Sequence, residues 1–233
     1  LADRHRFPFR PGATAHQGEI LVIGLGRFGS SVARTLIDMG YEVLGVDFDD
    51  DTVQEHADVL THVVQADTTN ERALRQIGAA DVTTAVVCIG TDVESSVLTT
   101  VQLADLGIPN IWAKAITDAH GKILERVGAH HVVFPEADMG ARVAHLLTGQ
   151  ALEYVELDDD FVLVEARAPE GVLGVRLGDA GLRAKYAVTV VCVKAPGSSF
   201  TYAARETVLG RDDLIVVAGH RADVDRFLDR RGT

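Results

Sequence analysis

Apolar residues in this chain first run together and then space out. Residues 19–23, EILVI, form an apolar stretch after a leading acid and end at Gly24-Leu25-Gly26-Arg27-Phe28-Gly29. From Phe28 the apolar positions recur at Val32, Leu36 and Met39, the spacing of one helix face, and the pattern stops at Gly40. A second apolar run over 41–46 closes on Asp47. The predicted order is strand, tight glycine turn, helix, strand.

The alternation continues. Strands are predicted over 62–66, 84–89, 110–114 and 131–134, with helices over 71–77, 93–106 and 119–127 between them. The run at 84–89 is apolar at nearly every position, as in a central strand buried on both faces. Six strands with helical crossovers predict an α/β fold, a Rossmann-like doubly wound parallel sheet, with its ligand crevice at the carboxyl ends of strands one and four. A helix is predicted over 135–147. Beyond Gly149 the texture changes: strands over 152–157 and 161–168 flank the acidic turn Asp158-Asp159-Asp160, followed by a short helix near 175–182, strands over 188–194 and 213–218, and a helix over 222–228. This second part reads as a small α+β lobe. The expected organisation is a tail over 1–18, a nucleotide-binding domain over 19–149 and a second lobe over 150–233.

The glycine motif assigns chemistry. Gly24 permits the tight turn, Gly26 lets a phosphate approach backbone N–H groups at a helix N-terminus, and Gly29 lets the helix pack closely on the strand. Asp47, roughly 20 residues on, stands where a carboxylate accepts from a ribose diol. An acid there, with no neighbouring Arg, disfavours the 2′-phosphate of NADP. The candidate contact set is Gly24, Leu25, Gly26, Arg27, Phe28 and Gly29 in the loop, Asp47 and Phe48 after strand two, Asp67 and Thr68 after strand three, Gly90 and Thr91 after strand four, and Lys114 ending strand five. Arg27 is placed to reach a terminal phosphate bidentately. Asp67 and Thr68 read equally well as a base or ribose contact and as a helix cap.

Composition narrows the partners. A net charge of -12 over 233 residues repels nucleic-acid backbones. No apolar run approaches a membrane span, and residues 1–18, with Arg4, Arg6 and Arg10 among Phe7 and Phe9, lack the apolar centre of a signal peptide, so a cytoplasmic protein with a leading tail is expected. Cys88 and Cys192 lie in apolar runs and are expected as buried reduced thiols. The triple Asp matches no calcium loop and reads as a solvated turn. Chemistry is hard to place: Lys185 and Tyr186 are adjacent rather than on one helix face, His220 stands near the end, and His130 and His131 would point to opposite sides of a strand. The expectation is a nucleotide-binding module that is not an enzyme.

Several runs then resemble one family. VIGLGRFG over 22–29, VDFD over 46–49, GIPNIWAKA over 107–115 and VFPEADMGARVA over 133–144 are similar to the RCK, or KTN, domains of potassium channels and transporters. LRAKYAVTVVCVK over 182–194 and GRDDLIVVAGHRADVDRF over 210–227 resemble that family's C-terminal lobe. The resemblance implies a cytosolic gating subunit whose dimers assemble into an octameric ring beneath a membrane-embedded K⁺ channel subunit (KtrB/TrkH-like), peripheral at the inner face of the cell membrane. It implies that ATP against ADP in the crevice changes the ring, with Gly24, Gly26, Arg27 and Gly29 on the phosphates, Arg27 reading the γ-phosphate and Asp47 on the ribose. Glu136 matches the family glutamate that helps hold a cation (Mg²⁺, Na⁺ or Ca²⁺) beside the γ-phosphates at the dimer interface; by itself it reads as a first-turn acid. In relatives the C-terminal lobe binds cyclic di-AMP, and Arg183, Lys185 and Tyr186 lie in the matching stretch, with Ala187 where Gly is common. Asp67 stands where some relatives carry Asn. The alternatives are an NAD(H)-dependent redox sensor or oxidoreductase, and a divalent-cation-gated RCK ring of a fused channel.

Overall fold

The computed structural model describes residues 19–147, 151–158 and 160–229. The expected tail over 1–18, Gly149 and Asp159 lie outside the described residues. By its internal contacts the chain divides into two units, one ending at Glu136 and one from Ala137 onward. The expectation had put the change after residue 149.

The first unit alternates strand and helix: β1 Ile20–Ile23, α1 Arg27–Asp38, β2 Val43–Asp47, α2 Asp50–His56, β3 His62–Gln65, α3 Glu71–Gln76, β4 Thr84–Val87, α4 Val93–Asp105, β5 Asn110–Lys114, α5 Asp118–Arg126 and β6 His131–Val133. The strand order is β3-β2-β1-β4-β5-β6 and every pairing is parallel. This is the doubly wound topology the periodicity predicts, and the register sets Ile23 beside both Val46 and Val87. The carboxyl ends of the three central strands therefore share one edge. Leu21, Ile23, Leu74, Leu103, Ile111 and Leu124 bury one face of the sheet, and Val22, Ala33, Val43 and Leu60 the other.

Helix starts follow side-chain chemistry. Asp49, Asn70, Asp92 and Thr117 each accept from a backbone N–H of the next turn. The sequence pattern does not predict α2, because only Val53 and His56 of its seven residues are buried and that is too few to display a period. Asp50 and Asp51 in its first turn complement the helix dipole instead.

Helix α6, Pro135–Leu147, matches its predicted span and begins in the first unit. The second unit adds β7 Glu153–Asp158, β8 Phe161–Arg167, α7 Leu182–Tyr186, β9 Thr189–Lys194, β10 Thr201–Tyr202, β11 Leu214–His220 and α8 Arg221–Leu228. Its sheet is antiparallel in the order β10-β9-β11-β8-β7. The helix expected near 175–182 instead begins at Leu182; Gly174 and Gly181, both at positive φ, keep the preceding segment in turns. Cys192 is half-buried rather than buried, on a strand of which only Val190 is fully covered.

Candidate functional site

The glycine motif joins β1 to α1. Gly24 has φ +87°, and a Cβ there would stand 3.2 Å from the carbonyl carbon of Cys88. A Cβ on Gly29 would lie 1.8 Å from the Gly24 carbonyl oxygen, so helix and loop meet backbone to backbone. Gly26 differs: no atom lies within 4 Å of its Cβ position, and it is exposed. Its open flank fronts the first turn of α1, which carries no acid and leaves N–H groups without intrahelical partners. That is the local chemistry of an anion cradle.

Asp47 ends β2, and its carboxylate braces the loop. One oxygen accepts from the Leu25 N–H at 2.6 Å and the other from the Asp49 N–H at 3.0 Å. Each oxygen keeps further acceptor capacity for a ribose hydroxyl. Phe48 beside it is 74% exposed, an uncovered ring at the same edge.

After β3 the candidates separate. One Asp67 carboxylate oxygen accepts from the backbone N–H and hydroxyl of Thr69, a local turn. Thr68 is buried, with its hydroxyl 2.8 Å from that of Thr99 on α4, so it stitches a loop to a helix inside the protein. After β4, Gly90 is half-buried and Thr91 exposed, and Asp92 caps α4. The hydroxyl and N–H of Ser95 hold the Asp92 carboxyl below the usual carboxylate range.

A pairing that the residue-by-residue pattern does not reveal sits next to Gly90. Lys114 ends β5 almost wholly buried, and its Nζ donates to Glu136 Oε1 at 2.6 Å. The same Nζ is 5.7 Å from the Phe28 ring centre. The Lys114 hydrogen bond, with a lesser contribution from the Arg27 charge, holds the Glu136 carboxyl below its ordinary range. Burial pushes the Cys88 thiol up to about 12, against the pull of Lys114. The mouth thus gathers the glycine loop, Arg27, Phe28, Gly90, Lys114 and Glu136. The available signal was topological: β5 and β6 are parallel neighbours, so a Lys ending one and an acid just past the other share an edge.

Among the described residues no three His, Cys, Asp or Glu side chains cluster as metal ligands. Nor is any described helix long and apolar enough to cross a membrane. In the second unit, Arg183 lines a cavity of about 520 Å³ with Leu177, Gly178, Thr189 and Arg205. Lys185 and Tyr186 are not in that lining: Lys185 lies over the Tyr186 ring, which packs edge-on against Phe227.

Residues 20–135 match the family model of the TrkA-N domain. The chain is 38% identical over 213 residues to the Ktr system potassium uptake protein C of Bacillus subtilis, covering 91% of this chain and 96% of that protein. It is 38% identical over 210 residues to the Ktr system potassium uptake protein A of the same organism, covering 90% and 95%. Among solved structures, the GsuK channel bound to NAD aligns with a TM-score of 0.64 at 21% identity, over 94% of this chain and 40% of that one. The GsuK RCK domain aligns at 0.62 and 22%, over 92% and 47%. These structures share the fold, and this chain spans less than half of either.

Proposed function

Because the chain belongs to the Ktr potassium uptake protein A and C family, we propose that it is a non-catalytic regulatory subunit of a potassium uptake system that binds an adenine nucleotide at the glycine loop. The observation carrying this reading is the open flank of Gly26 at the acid-free start of α1, with Arg27 exposed beside it and the buried Lys114 ammonium near Phe28 of the same loop. Backbone N–H groups and two cations suit a di- or triphosphate, and Asp47 suits an unmodified ribose.

ATP and ADP differ by one phosphoryl group, and only a contact that feels this difference shifts a conformational equilibrium. Arg27 is the side chain assigned to it, with Glu136 and a hard cation offsetting the added charge. Magnesium suits such a place, because it accepts one carboxylate when phosphate oxygens and water complete its shell. In this reading the chain works as dimers in a ring at the inner face of the membrane, against a membrane-embedded K⁺ subunit, and Arg183 marks the cavity for cyclic di-AMP.

Calorimetric titration of the full chain with ATP, ADP, NAD⁺ and NADH, with and without magnesium, tests the reading. Binding of ATP and ADP, with magnesium acting on ATP alone, is expected. Binding of NADH with no binding of ATP would transfer the site to redox sensing.

A further inference from the structure

We infer that Lys114 exchanges partners when a phosphate enters the glycine loop: the ammonium held by Glu136 turns to the phosphate, and the Glu136 carboxylate is freed from Lys114, open to water or, beside ATP, to the hard cation. The inference deepens the nucleotide reading of this site and rests on it. The Lys114 side chain is only 10% exposed, so its charge needs a counter-charge close by. Glu136, at 2.6 Å, supplies it, although the glutamate side chain is itself 66% exposed. A solvated acid is leaning on a buried base.

The position of the ammonium makes it more than a structural tie. Lys114 Nζ and Cε stand 3.1 and 3.2 Å from where a Cβ on Gly90 would lie, so the absence of a side chain at 90 leaves room for them. The ammonium also stands 5.7 Å from the Phe28 ring centre, so it is close to both the loop after β4 and the glycine motif. A phosphate on that motif brings charge and several acceptor oxygens to the same mouth. If Lys114 kept both partners, two anions would be held against each other over one cation. Glu136 leaves because its exposed carboxylate can be taken over by water, or by the hard cation when ATP brings one, while the phosphate is fixed by the backbone N–H groups of α1. Glutamate and phosphate therefore compete for one ammonium, and the acid acts as an internal placeholder.

The test is calorimetry of the full chain with ADP and ATP in excess EDTA, which removes divalent ions from the comparison. Glu136→Gln should bind ADP about tenfold more tightly than the parent, because one charge-assisted hydrogen bond no longer has to be displaced. Glu136→Asp, one methylene shorter, should gain in the same direction and serves if the glutamine variant does not fold. Lys114→Met should bind more weakly, and adding Glu136→Gln to it should give no gain. A Glu136 variant that melts cooperatively yet binds ADP no more tightly than the parent overturns the exchange and leaves the nucleotide reading intact. A parent that binds no nucleotide overturns both.

Discussion

Gly26→Ala and Gly29→Ala should separate the binding role of the loop from its structural role. At Gly29 the added methyl would lie 1.8 Å from the Gly24 carbonyl oxygen and 3.0 Å from Cys88 Cβ. The gap must open by about 1.2 Å merely to reach the shortest contact that real Cβ atoms show. The opposing atom is backbone in a tight turn, whose N–H is bonded to the Val46 carbonyl at 2.8 Å, so it yields poorly. Overpacking of this kind costs about 1–3 kcal/mol, and the rigid neighbour puts Gly29→Ala at the upper end. At about 2–4 °C per kcal/mol, the melting point should fall by roughly 6–12 °C. At Gly26 the methyl meets no atom within 4 Å, and φ of -61° with ψ of -172° is open to any L residue, so stability should stay within about 0.5 kcal/mol. The same methyl stands where, in the proposed reading, a phosphate approaches. Loss of one charged hydrogen bond, about 1.5–3 kcal/mol, predicts roughly ten- to hundredfold weaker nucleotide binding. Thermal melts paired with calorimetric titration of both variants read the two effects. A Gly26→Ala chain with unchanged ATP and ADP affinity, or a Gly29→Ala chain that melts with the parent, would refute the reasoning.

Other residues make separate predictions. Arg27→Ala should bind ATP and ADP almost equally in calorimetry; retained discrimination would remove Arg27 as the reader of the terminal phosphate. Ala187 is the sole non-glycine residue at positive φ among the described residues, at 57°, so Ala187→Gly should stabilise the second unit by about 0.5–1 kcal/mol, seen as a higher urea midpoint. His120 is buried, its Nε2 has no hydrogen-bond partner, and burial lowers its pKa. The unfolded chain therefore takes up the proton first: this contribution is intact above about pH 6.5 and is lost as pH falls toward the lower folded value. Urea midpoints at pH 7.5 and pH 5.5 should differ less for His120→Leu than for the parent, and an equal difference would show that other groups set the slope.

The sheet was legible because its first four strands are apolar runs closed by Gly or Asp, and because the glycine motif, Gly40 and Asp47 punctuate the first crossover. Helix α2 was not, since one apolar residue and a histidine inside a string of acids display no period. In the candidate site, the loop and Asp47 could be read from residue type and spacing alone. Thr68 could not be resolved, because whether a hydroxyl faces a ligand or Thr99 depends on the packing of α4. The Lys114–Glu136 pair joins residues far apart in the chain, and only the β5–β6 pairing brings them to one edge. Ala187 shows the converse: its departure from Gly is visible in the sequence, and its strained φ gives the departure a physical meaning.

The most direct measurement is potassium flux through proteoliposomes holding a Ktr-type membrane subunit, with the full-length chain added in ATP or in ADP. A regulator that reads the nucleotide through this loop should make the two fluxes differ by about tenfold, within the usual span of allosteric coupling, and Gly26→Ala should abolish the difference. Equal flux in ATP, in ADP and without the chain would contradict it.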